Sequence, residues 1–102
     1  MAVSTIKTDN RANLGTSVNL ASYKNTDFIV PKDGYVVANC GSASTAKAIL
    51  RVYSKDNDQN FNIGGWGNST YSQWATFVKR GMRIRAITLE NNGYAYYYPL
   101  GD

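Results

Sequence analysis

The chain has no histidine, one cysteine, two prolines and only seven acidic residues. Without histidine the commonest general base is gone, as are Ser–His and Cys–His nucleophile pairs and the zinc sites that use imidazole. The lone Cys40 can close no internal disulfide and offers no second thiolate to a zinc framework. It follows Val36-Val37-Ala38-Asn39 and reads as a small buried residue. No apolar run approaches a membrane span, and Met1-Ala2-Val3-Ser4 lacks the basic and apolar start of an export signal. The expectation is therefore a protein made in the cytoplasm, without a signal peptide and without membrane insertion.

The carboxylates are few and badly placed for catalysis. Of Asp9, Asp27, Asp33, Asp56, Asp58, Glu90 and Asp102, nearly all fall in turn segments or at the terminus. A working acid/base pair needs two groups held across a cleft, one with a raised pKa. Asp56-Asn57-Asp58-Gln59-Asn60 opens like a calcium loop, with oxygen ligands on alternate residues. Position six is then Phe61 instead of Gly, and position twelve is Gly67 instead of Glu, so a polar hairpin turn accounts for it better. Gly64-Gly65-Trp66-Gly67-Asn68-Ser69-Thr70 lacks the Lys-Ser/Thr ending of a phosphate loop. We expect no enzyme activity, no metal and no cofactor.

What the chain does have is aromatic residues and turns. Eight Tyr, three Phe and two Trp supply the apolar area that disordered chains lack. No segment shows the i, i+3, i+4 periodicity of a long amphipathic helix. Turn signals instead recur about every ten residues, as in an antiparallel sandwich or barrel. Strands are predicted near 3–8, 17–23, 27–30, 35–40, 46–54, 59–63, 71–78, 82–89 and 93–100, in one domain spanning 1–102, with 1–14 as a short arm or edge strand.

Alternation assigns faces to these strands. Ala48, Leu50 and Val52 form one side of a strand, Lys47 and Arg51 the other. Met82, Ile84 and Ala86 oppose Arg83 and Arg85, so Arg51, Arg83 and Arg85 should point away from the core. Ile87 and Leu89 then fall on the arginine side, which calls for either a bulge or cover by another chain. In Pro31-Lys32-Asp33-Gly34 the Pro presets φ and the Gly is expected to take a positive φ; Asn92-Gly93 fits a two-residue hairpin loop.

Two groups of residues are candidates for binding. Trp66, flanked by glycines in a predicted loop, either folds onto the sandwich or meets a partner; with Asn68, Tyr71 and Trp74 it makes a kit suited to stacking sugar rings. Tyr94, Tyr96 and Tyr98 form a stripe on one face of the last strand, with Tyr97 opposite. A monomer has difficulty hiding both faces of such a strand, and tyrosine is frequent at interfaces. With Ile87, the stripe is the candidate subunit interface. The net charge of +4 is scattered, and only Lys79-Arg80-x-x-Arg83-x-Arg85 is dense, so nucleic acid is not the expected partner.

Three tracts resemble a known family. They are Phe28-x-x-Pro31-x-Asp33-Gly34-Tyr35-x-Val37, Phe77-Val78-Lys79-Arg80-Gly81, and Tyr96-x-Tyr98-Pro99-Leu100. Over about Thr26 to Leu100 the chain is similar to the small heads of bacteriophage tail fibres and virion appendages, which look like the globular domains of the tumour necrosis factor and complement-type superfamily. The resemblance implies a jelly roll of about eight to ten short strands, trimeric about an axis, with aromatic residues of late strands near that axis. It implies binding to host-surface polysaccharide or protein, or decoration of a capsid, and carries over no catalytic residue. Arg80 and Met82 stand where Lys and Asp are commoner, and too few residues precede the first tract for a fibre shaft. The expectation is a free-standing virion or prophage protein, non-enzymatic and homotrimeric. The alternative is a monomeric carbohydrate-binding module that uses the loop aromatics.

Overall fold

A computed structural model describes residues 13–67 and 70–101. The predicted strand at 3–8 and the arm up to residue 12 lie outside the described residues. The rest is all-β: β1 (Val18–Asn19), β2 (Phe28–Ile29), β3 (Gly34–Cys40), β4 (Lys47–Tyr53), β5 (Asn60–Trp66), β6 (Ser72–Val78), β7 (Arg83–Glu90) and β8 (Gly93–Pro99). They form two four-stranded antiparallel sheets, ordered β1-β8-β3-β6 and β2-β7-β4-β5.

The pairing has a simple rule. β1 pairs with β8, β2 with β7, β3 with β6 and β4 with β5. The chain is thus one long antiparallel hairpin rolled into a sandwich, with β3–β8 and β4–β7 closing the roll. This is the jelly roll. Only β4 and β5 are consecutive strands in one sheet; every other connection crosses from sheet to sheet.

Strict alternation builds the core. β3 and β4 read buried at every second residue, giving Val36, Ala38 and Cys40 from one sheet and Ala48, Leu50 and Val52 from the other. Ile84, Ala86, Ala95, Tyr97, Val78, Phe28, Val30 and Leu20 fill the space between them. Arg51, Arg83 and Arg85 point outward, as the alternation requires.

The turns depart from the sequence reading in three places. Gly34 does not adopt a positive φ; it opens β3 where a Cβ would strike the Tyr98 carbonyl oxygen and sit 2.9 Å from Pro99 Cα. Close strand approach, not turn conformation, demands this glycine. The last turn is Asn91-Asn92, with φ of 50° and 73°, one residue earlier than expected. It is a corner between opposite sheets, not a hairpin, because β7 and β8 share no ladder. The segment predicted as a strand at 17–23 shortens to Val18–Asn19, since Asn19 Oδ1 accepts from Ala21 N at 2.9 Å and turns the chain.

The Ile87 ambiguity resolves as a bulge. The β4–β7 register shifts between Ile49 and Leu50, so that Ala86 faces Leu50 and Thr88 faces Ile49. Ile87 is the extra residue and stays exposed, while Leu89 returns to pack against the core.

Candidate functional site

The two outer faces differ in chemistry. The strands of the first sheet, β1, β8, β3 and β6, contain no charged residue. Those of the second contain Lys47, Arg51, Arg83, Arg85 and Glu90.

On the outer side of the first sheet, register sets three rows across β8, β3 and β6. Tyr98, Tyr35 and Phe77 make the first; Tyr96, Val37 and Ala75 the second; Tyr94, Asn39 and Gln73 the third. Tyr35 and Phe77 meet edge to face, with centroids 5.5 Å apart, and the Tyr96 and Tyr98 rings tilt together at 6.3 Å. Asn39 Nδ2 donates to the Tyr71 hydroxyl at 2.7 Å, extending the face beyond the end of β6. Tyr94 donates to Asn92 Oδ1 at 3.0 Å. Tyr35, Phe77, Tyr94 and Tyr71 remain exposed. Such a face holds its rings in register with one another and offers solvent no charged side chain from its strands.

Tyr97 shows how the same strand serves the core. Its ring is buried against Phe28, at 5.2 Å, and its hydroxyl donates to the Lys32 carbonyl at 2.5 Å. Burial pushes its phenol above the usual range, with the nearby Asp33 charge adding to the rise. Cys40 is likewise buried, and burial raises its thiol pKa against a smaller opposing contribution from a backbone hydrogen bond.

The sugar-stacking kit is dispersed. Trp66 ends β5 on the outer side of the second sheet, 64% exposed, with Lys47 Nζ 4.7 Å above its ring. Tyr71 belongs to the aromatic face of the first sheet. Trp74 points inward, packs against the core and covers Gly65, where a Cβ would lie 3.0 Å from its ring. Asn68 lies outside the described residues. Of the proposed interface residues, Tyr94, Tyr96 and Tyr98 share the aromatic face, whereas Ile87 stands on β7 in the other sheet.

The second sheet carries an arginine cluster whose ion partners sequence reasoning did not assign. Arg83 donates from Nε to Ser54 O at 3.1 Å and from Nη2 to Asn57 O at 2.7 Å and Asp58 Oδ1 at 3.3 Å. Its Nη1 reaches Asp27 Oδ2 at 3.4 Å, and Arg85 holds the other oxygen of Asp27 at 2.8 Å. Both guanidinium groups lie against the Tyr53 ring, at 4.9 and 5.8 Å. Asp58, half of the calcium-like motif, is thus engaged by Arg83. The link to Asp27, more than fifty positions away, has no short-range sequence signal.

No protein-family model matches the chain, and no curated protein or solved structure is significantly similar to it.

Proposed function

We propose that this chain is a structural module of a phage or prophage particle, assembled as a trimer through the outer face of β1-β8-β3-β6, and used for host-surface attachment or particle decoration. The carrying observation is that this face combines five ring-bearing positions, Tyr35, Phe77, Tyr94, Tyr96 and Tyr98, with strands free of charge. Copies that meet through a face whose strands carry no cation set no like charges against one another there. Depletion of charge and enrichment of Tyr and Phe is also the composition of interface cores. The jelly-roll winding is the fold that the family resemblance implies, and the trimer is taken from that resemblance.

Particles purified from a producing strain test the biological half of this reading. Mass spectrometry should find the chain in stoichiometric amounts in washed virions. Its confinement to the particle-free fraction would contradict the proposal.

A second reading, a monomeric carbohydrate-binding module, draws on the exposed Trp66. That residue lies on the opposite sheet from the aromatic face, so sugar binding there does not compete with assembly.

A further inference from the structure

We infer that the outer surface of β4–β5, from Trp66 to Arg51, binds an acidic glycan, a chain of sugar rings bearing carboxylate groups. The inference rests on the attachment reading above and gives it a site and a ligand class.

Arg51 and Arg85 stand directly opposite one another on β4 and β7. At such positions the Cα atoms lie about 4.5–5.5 Å apart, and like charges directly opposite destabilise a sheet. Arg85 is compensated by Asp27, which it shares with Arg83. Arg51 has no carboxylate among the described residues; its Nε donates only to the neutral amide of Asn62, at 3.0 Å. Among the described residues three arginines thus face two carboxylates, Asp27 and Asp58, leaving one uncompensated cation at Arg51. A local rule of sheet design broken without internal compensation is the expected mark of a ligand site. An arriving carboxylate would relieve the repulsion and take the guanidinium in bidentate geometry.

The neighbouring residues indicate what carries that carboxylate. Along the same outer side of β4 and β5 follow Ile49 with Gly64, then Lys47 with Trp66. Four residues of strand separate Arg51 from Lys47, about 13 Å at the usual rise. Over that length the surface offers a cation, the Asn62 amide, the side-chain-free Gly64 and the exposed Trp66 indole, with Lys47 above one side of its ring. An aromatic platform beside amide and guanidinium donors suits a sugar chain. Nucleic acid requires a row of cations matched to successive phosphates. Here Lys47 is already paired with Glu90 at 3.8 Å, leaving a single excess charge.

The test compares retention of immobilised hexagalacturonate, sialic acid hexamer, uncharged maltohexaose and dT20 by the wild-type chain and by Arg51→Gln and Trp66→Ala. The inference expects an acidic hexamer to be bound in preference to maltohexaose and dT20. Arg51→Gln should weaken that binding about ten-fold or more, and Trp66→Ala should weaken it as well. Arg51→Gln also removes the like-charge pair, so its thermal midpoint should equal or exceed the wild-type value, which separates lost binding from lost fold. Absence of binding to both acidic hexamers, equal binding of maltohexaose, tighter binding of dT20, or unchanged binding by Arg51→Gln would overturn the inference. Light scattering on the same samples reports assembly independently, so failure of the glycan site and failure of the trimer are distinguishable.

Discussion

The Tyr97 hydroxyl donates to the Lys32 carbonyl at 2.5 Å, tying the middle of the last strand to the turn that precedes β3. Tyr97→Phe keeps the ring in the core and removes only this bond. We expect a loss of about 1–2 kcal/mol at pH 7 in urea denaturation. Because burial raises the phenol's pKa in the folded state, its contribution to stability is fully present below the unfolded value of about 10 and is lost as pH rises through the folded value. Wild-type stability should therefore fall more steeply above pH 10 than that of Tyr97→Phe. Equal slopes would mean that Tyr97 does not titrate in this way.

Arg83 holds the one hairpin of the described fold. Its guanidinium spans Ser54 O, Asn57 O, Asp58 and Asp27, which a lysine cannot reproduce from a single ammonium. Arg83→Lys should cost about 2 kcal/mol and open the 54–59 turn to limited proteolysis. An unchanged cleavage pattern would show that the turn stands without the clamp.

Gly64 continues a strand through a conformation that side chains avoid. Its φ is 109°, and a Cβ would strike the Ala48 carbonyl oxygen. Gly64→Ala should destabilise by about 3 kcal/mol or more, read as a lowered denaturation midpoint with an unchanged slope.

Cys40 lies at 0% exposure, and burial raises its thiol pKa. The native protein should resist iodoacetamide at pH 8 and react once unfolded. Rapid native alkylation would indicate that the sandwich opens at β3.

Alternation and turn chemistry made most of the fold readable. Met82, Ile84 and Ala86 against Arg83 and Arg85 placed β7 in phase, and Ala48, Leu50 and Val52 did the same for β4. What the sequence concealed were features set by partners distant along the chain. Gly64 and Gly65 look like loop residues, yet they extend β5 to Trp66, because β5 pairs with β4 without a break as far as Trp66 and Trp74 packs over Gly65. Gly34 looks like a turn glycine, but its constraint comes from Tyr98 and Pro99 on β8. For the candidate site, the stripe of Tyr94, Tyr96 and Tyr98 was visible in one strand. Its extension by Tyr35 and Phe77 depends on β3 lying between β8 and β6, which no local pattern encodes.

Assembly through that face is the central claim, and the molar mass of the wild type and of Tyr96→Lys, measured by light scattering on eluting protein at micromolar concentration, tests it most directly. Tyr96 stands in the middle row of the face, so a lysine there sets like charges against one another at a cost of several kcal/mol, while leaving the core side of β8 untouched. The account predicts three times the 11.2 kDa chain mass for the wild type and the single-chain mass for a folded Tyr96→Lys. A monomeric wild type, or a trimer that Tyr96→Lys leaves intact, would contradict it.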